Sequence, residues 1–345
     1  LCRDNEGLKI QLKPCKWDDE GNCIEVQLVC KWGGWLTEAG ALQATMLGEH
    51  FAKRIYTHSD ARHLSKDTVA IRLNNERRVL HTAINFTTAF LKDDSVSDAD
   101  CVVDEALLGD SFQAKDIMGD MSRRIDNLLH CDSIEELGQD AHLPGMQGLL
   151  NCVALDQSDR TPHGALRTMH KFIGEFVEHI PATAQLYRGE SIQLMKQRWS
   201  NILRAFYKVK HAHYDTSKIP DIFDYVSYDA CYNQEALAPL DLYPLFTLAE
   251  ALSLFVSAGE YGFAGRERKF TGGMIAGPLF TRISQDIEEI AANDGPLTRL
   301  YFTSESHLMG LKNLLYESTR ADFHRLEDPM ELHFLTHFVI KVYNY

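Results

Sequence analysis

An α/β fold interrupted by a long α-helical insertion is the architecture this chain predicts, on three observations. Runs fit for strands stop at polar turns and pass into amphipathic helices near both ends of the chain. Between about 98 and about 295, apolar residues recur only at helical spacing. The 345 residues are 45% hydrophobic, enough to furnish a core for both parts. The expected division is therefore 1–97 with 296–345 as the α/β core, and 98–295 as the insertion.

The elements follow in order. Leu8 to Leu12 alternates apolar and polar as a strand does, Asp18 to Asn22 is a turn, and Ile24 to Val29 alternates again. Lys31-Trp32-Gly33-Gly34-Trp35-Leu36-Thr37-Glu38-Ala39-Gly40 then allows a tight backbone, with Thr37 placed to cap a helix carrying Ala44, Leu47 and Phe51. Asp67 to Leu73 is a further strand, its Val69, Ile71 and Leu73 on one face. It runs into Asn74, a candidate N-cap, and a helix striped by Val79, Ala83, Phe86 and Phe90. Arg77 and Arg78 fall in the first turn of that helix. Cations there oppose the helix dipole, so either a bound anion compensates them or they are solvated and paired with Glu76.

Four stripes fill the insertion. They are Leu166, Met169, Ile173, Phe176 and Ile180; Ile192, Met195, Trp199, Ile202 and Phe206; Leu245, Ala249, Leu252 and Val256; and Leu279, Ile283, Ile287 and Ile290. Basic residues gather beside the second stripe, at Arg188, Lys196, Arg198, Lys208, Lys210 and Lys218, where an anion pocket would find its far wall. Near the end, Arg299 to Phe302 suits a buried strand. It breaks at Thr303, Ser304, Glu305, Ser306 and His307, and Leu308, Leu311, Leu314 and Leu315 then mark a helix. Such a turn directs side chains and backbone N–H groups toward a bound anion, or is simply a capping cluster. Phe338, Ile340, Val342 and Tyr343, within Glu331 to Tyr345, suggest a last core strand.

Composition narrows the class of function. With 35 basic against 49 acidic residues the chain carries −14, which disfavours a nucleic acid or an anionic membrane as its main partner. Eight cysteines without regular spacing read as reduced thiols, so a cytoplasmic protein is expected. Leu248 to Val256, among the most apolar windows, contains Glu250 and is too short to span a bilayer. No signal-peptide pattern opens the chain, and its start at Leu1 leads us to expect a piece of a longer protein. Cys15, Cys23 and Cys30 lie close in sequence and His211 and His213 form a His-x-His pair, ligands zinc accepts, although no Cys-x-x-Cys occurs.

Taken together, four stretches resemble the phosphatase half of the diphosphoinositol pentakisphosphate kinases, a branch of the histidine acid phosphatases. They are Lys31 to Gly40, Glu76 to Phe86 (Glu-Arg-Arg-Val-Leu-His-Thr-Ala-Ile-Asn-Phe), Tyr214 to Asp224 (Tyr-Asp-Thr-Ser-Lys-Ile-Pro-Asp-Ile-Phe-Asp), and Arg299 to His307 (Arg-Leu-Tyr-Phe-Thr-Ser-Glu-Ser-His). The resemblance implies a mixed sheet flanked by helices, with a large α-helical insertion covering the active site. It implies hydrolysis of the β-phosphate of an inositol pyrophosphate, at the 1 position, through a phosphohistidine. It places Arg78 in the phosphate clamp and His307 as the late histidine that contacts the transferred phosphate, roles that suit a planar guanidinium fork and a fixed donor. Lys218, Arg198, Arg188, Lys196 and Lys31 are candidates for the remaining phosphates, with Ser304 and Glu305 at the turn. An amino-terminal ATP-grasp kinase domain is the implied partner in the full-length protein. The chemistry requires no cofactor, and a structural zinc or an iron–sulfur cluster is compatible with the family.

Two departures stand out. The family signature Arg-His-x-x-Arg-x-Pro, which carries the nucleophilic histidine, does not occur in this sequence. Asp159-Arg160-Thr161-Pro162 resembles its second half, but Gln157 stands where the histidine would. Leu308 replaces the aspartate that follows the late histidine elsewhere in the superfamily and protonates the leaving group. A phosphate leaving from an anhydride needs a strong general acid less than an alcohol does, which fits a pyrophosphate substrate. The competing expectation is an inactive inositol-pyrophosphate-binding module that regulates an attached kinase.

Overall fold

A computed structural model describes residues 9–18, 20–31, 34–56, 64–109, 112–143, 145–153, 160–263, 265–292, 297–319 and 332–342. The principal elements are β1 (Lys9–Trp17), β2 (Cys23–Lys31), α1 (Glu38–His50), β3 (Val69–Leu73), α2 (Arg77–Leu91), β4 (Cys101–Val103), α3 (Phe112–Leu129), α4 (Pro162–His179), α5 (Ile192–Phe206), α6 (Ile219–Tyr232), α7 (Tyr243–Gly259), α8 (Gly265–Ala291), β5 (Thr298–Phe302) and α9 (Glu305–Thr319). The protein is a mixed α/β chain, mostly helical, and it divides into two compact units. One comprises 1–109, 278–307 and 337–345; the other comprises 110–277 and 308–336.

The first unit holds a parallel sheet ordered β4-β3-β5. β3 is central and alternates fully buried with half-buried residues, Val69, Ile71 and Leu73 forming its core face as their spacing predicts. Leu73 pairs with Phe302 and Val103, so the three carboxyl ends are flush. β4 lies within the stretch expected to be insertion, and the first unit runs on to Gly109 and resumes at Pro278, outside the expected limits at 97 and 296. Thr37 caps α1 by accepting from Gly40 N at 3.0 Å, as expected. Gly48 lets α1 approach α2 closely, since a Cβ there would lie 2.2 Å from the Phe86 carbonyl oxygen. Phe86 stacks on Phe90 and meets Phe302 edge-on, joining α2 to β5.

Three expectations are corrected here. The two amino-terminal strands form, but as a separate antiparallel hairpin, β1 with β2, and do not enter the parallel sheet. Asn74 does not cap α2: the N-cap is Glu76, two residues later, and its side chain makes no capping bond. Among the described residues 332–342 there is no strand, because the chain runs there as turn and irregular backbone; Glu331 and 343–345 lie outside the described residues.

The second unit is a helical body with one continuous apolar core. Leu166, Met169 and Ile173 of α4, Trp199 and Phe206 of α5, Ile222 and Val226 of α6, and Leu252 and Phe255 of α7 meet there with Ile125 and Leu129 of α3. Each such side chain contributes on the order of 1.5–3 kcal/mol by leaving water. The first three predicted stripes are core stripes. The fourth is so only at Leu279: Ile283, Ile287 and Ile290 are half-buried, and Asp286 takes the buried position. Arg160-Thr161-Pro162 is a helix start, with Thr161 accepting from Gly164 N at 2.9 Å and proline at the first turn of α4.

Candidate active site at the carboxyl edge of the parallel sheet

Two neighbouring strands end together and each hands on to a helix. From Leu73 the chain reaches Arg78 five residues later; from its partner Phe302 it reaches His307, also five residues later. The sheet therefore delivers both predicted residues to one edge, where the amino-terminal turns of α2 and α9 begin. Open α/β sheets bind ligands at this edge.

His307 is buried and lies in the first turn of α9 rather than in a loop, because the helix starts at Glu305, earlier than the leucine pattern suggests. Its Nδ1 is 3.5 Å from both Ser304 Oγ and Ser306 Oγ, which are 2.8 Å from one another. Ser304 directly precedes the helix and Glu305 is exposed at its start. Arg78 is exposed, and its Nε donates to Glu76 Oε2 at 2.8 Å. An exposed pair of this kind is weak and leaves the other guanidinium nitrogens for a ligand. Arg77 lies over the Trp35 ring, 5.0 Å from its centroid. Sequence reasoning passed over Asn74 and Glu76 as site residues, although both stand in the turn between β3 and α2.

The predicted cations of the helical body have different surroundings. Arg198 is committed to the protein: Nε donates to Glu190 at 2.7 Å and Nη2 to Asp229 at 2.5 Å. Asp229, fully buried, also accepts from Trp199 Nε1 at 2.7 Å and from Asn233 Nδ2 at 2.8 Å. Arg188 has left-handed backbone, φ 53°, and its guanidinium lies over Tyr187, whose backbone N–H donates to Asn233. The structure thus links Arg188 and Arg198 through Tyr187, Asn233 and Asp229. Lys196 is half-buried on α5, and Lys218, just ahead of α6, faces Asp221 at 3.8 Å. Lys31 ends β2, and its side chain lies outside the described residues.

The metal candidates separate in the same way. The side chains of Cys15 and Cys30 lie outside the described residues, and Cys23 is an exposed free thiol. His213 joins two residues the sequence did not single out, Asp126 of α3 and His130 just after it, their ligand atoms all within 4.8 Å of one another. His211 is not in that group. The His130 and His213 rings stack 4.0 Å apart, and His213 Nε2 is 3.2 Å from Asp126 Oδ2. His130 Nδ1 donates to the Asp126 carbonyl at 2.7 Å, which frees the Nε2 lone pair; Tyr214 N–H now occupies it at 3.3 Å. Burial lowers the His130 pKa, against the opposing pull of Asp126. Two imidazoles and a carboxylate, one ring fixed by a carbonyl, are a donor set that suits zinc.

The model for the histidine phosphatase superfamily, branch 2, matches residues 8–344. The inositol hexakisphosphate and diphosphoinositol-pentakisphosphate kinase 2 of Mus musculus is 28% identical over 377 residues, covering 92% of this chain and 33% of the relative. Its counterpart in Homo sapiens is 28% identical over 377 residues, 92% of this chain and 30% of the relative. The inositol hexakisphosphate and diphosphoinositol-pentakisphosphate kinase of Saccharomyces cerevisiae is 25% identical over 403 residues, 90% of this chain and 34% of the relative. The chain thus spans about a third of the length of the curated relatives it matches. No solved structure matches it significantly. With its paired strand ends, its late histidine and a family match over nearly its whole length, the chain belongs to the histidine phosphatase superfamily, branch 2.

Proposed function

We propose that this chain is the phosphatase domain of a protein of inositol pyrophosphate metabolism, removing the β-phosphate of the diphosphate group at the 1 position. The delivery of Arg78 and a buried His307 to one sheet edge by adjacent parallel strands carries this reading. A histidine from an Arg-His-x-x-Arg-x-Pro segment, which this chain as given lacks, attacks the β-phosphorus. The anhydride bond breaks, the inositol phosphate leaves, and water then releases phosphate from the phosphohistidine. Arg78 and His307 donate to the phosphoryl oxygens throughout. Lys218, Lys196, Arg188 and Lys31 serve the remaining phosphates, and Arg198 orders the tyrosines and the turn around Arg188 rather than the ligand. The names of the relatives and their greater length support an attached ATP-grasp kinase domain. The irregular spacing of its eight cysteines supports a cytoplasmic setting. Zinc at Asp126, His130 and His213 is proposed as a structural cofactor, with no part in the chemistry.

The second reading is an inactive inositol-pyrophosphate-binding module that regulates the kinase; Leu308, standing where the aspartate general acid follows the late histidine elsewhere, supports it. Phosphate release from an inositol pyrophosphate decides between them, using the protein with its native upstream segment beside its His307→Ala variant. We expect release from the parent and a loss of at least about a hundredfold in the variant. Tight binding without release would establish the module instead.

A further inference from the structure

One buried polar atom at the sheet edge has no partner. Asn74, the residue after β3, is only 5% exposed. Its backbone N–H donates to the Phe302 carbonyl at 3.3 Å, which fixes it at the seam between the ends of β3 and β5. Its Nδ2 donates to Glu76 Oε1 at 3.4 Å, while Glu76 Oε2 accepts from Arg78 Nε at 2.8 Å. One carboxylate therefore holds the carboxamide and the guanidinium together, and decides which way the carboxamide is turned. Asn74 Oδ1 is left buried, with no hydrogen-bond donor among the described residues. Folded proteins satisfy nearly all such atoms, and leaving one unpaired costs stability. Asparagine is uncharged, so this acceptor does not repel an anion as a carboxylate would.

We propose that Asn74 is a ligand-contact residue of this site, its Oδ1 accepting a hydrogen bond from the protonated oxygen of a phosphate held beside Arg78. The inference rests on the phosphatase reading and adds a selectivity to it. A phosphate that keeps one proton offers the O–H that Oδ1 lacks. Sulfate has the same shape and nearly the same size but carries no proton, so it leaves Oδ1 unpaired and pays its desolvation. The site thereby takes monoprotonated phosphate in preference to fully ionised tetrahedral anions.

Titration calorimetry with inorganic phosphate and with sulfate, at about pH 5.5 where phosphate carries O–H groups and sulfate does not, tests this on the parent and on Asn74→Leu. We expect the parent to favour phosphate, and the variant to bind phosphate about tenfold more weakly with sulfate unchanged. The thermal midpoint of the ligand-free variant should stay level or rise, because an unpaired buried acceptor has been removed. Equal weakening for both anions with a fall in the midpoint would overturn the proposal in favour of a structural role, as would affinities unchanged for both. Asn74→Ala removes the same acceptor without added bulk and decides the matter if the leucine variant does not fold. Arg78→Ala is the control for the underlying reading: it should weaken both anions, and if it weakens neither, the site itself is misplaced.

Discussion

Arg198 sits where the sequence offers a cation to a ligand, and its surroundings commit it to the protein. Burial opposes its charge, but the hydrogen bonds it donates to Glu190 and Asp229 outweigh that cost and raise its pKa, keeping the guanidinium protonated. Asp229 is the hub, since it also receives Trp199 and Asn233. Asp229→Ala would leave Arg198 with Glu190 as its remaining carboxylate and strand the buried Trp199 indole N–H. We expect a destabilisation of about 3 kcal/mol, read as a lowered urea midpoint. If the midpoint falls by less than the equivalent of about 1 kcal/mol, the network is ornamental. At the sheet edge the same accounting runs the other way: Arg78 keeps one exposed and weak pair, so most of its hydrogen-bonding capacity is open.

Among the elements, the amino-terminal hairpin shows how local and global readings part. β1 and β2 alternate as predicted and pair in register, Leu12 opposite Leu28, yet these two leucines and Ile24 are exposed. Alternation predicts a strand with two unlike faces and says nothing about which sheet it joins. Elsewhere two segments distant in sequence meet through polar groups and stacked rings as well as the apolar core. Asp126 of α3 and His130 just after it meet His213 in the two-residue strand His213–Tyr214, and Thr216 Oγ1 donates to Asp126 Oδ1 at 2.8 Å. Purified protein is expected to carry about one zinc per chain by elemental analysis, and chelation to lower its melting temperature. His213→Ala should abolish both effects. A metal-free protein whose melting is indifferent to added zinc would refute the structural zinc.

At the scale of the whole molecule, the helical body should lose stability in acid through His170. Its ring faces Tyr207 and Tyr214, in a cleft lined also by Arg204, Lys208, Lys210 and His211. Burial lowers its pKa below the usual 6.5. The unfolded chain therefore binds more protons in the window below pH 6.5, so stability contributed by neutral His170 is complete above that value and is lost as pH falls through it. Urea melts at about pH 7.5 and about pH 5.5 should show the decline, and His170→Gln should flatten it. An unchanged slope in the variant would assign the acid sensitivity to other groups. The first unit is built from three separated stretches of chain, the helical body from two. Strand pairing brings in the stretch near residue 300, where β5 joins β3, and Lys341 Nζ, donating to the Ile55 carbonyl at 2.7 Å, ties the last stretch to the first.

The sequence by itself determined the element types, the core stripes of α4, α5 and α7, the cap at Thr37 and the strand-to-helix turns at Arg78 and His307. It could do so because periodicity, capping and turn chemistry act over a few residues. The motifs carried the superfamily too. Only the tertiary structure decided that the hairpin stands outside the parallel sheet, that Arg198 is held by Glu190 and Asp229, that His213 meets His130, and that Asn74 follows β3 with an oxygen unpaired among the described residues rather than capping α2. Those outcomes depend on partners up to 31, 84 and more residues away. No local pattern encodes whether a distant carboxylate or carbonyl will arrive, and in a buried site that arrival decides whether a polar group stabilises the fold or waits for a ligand.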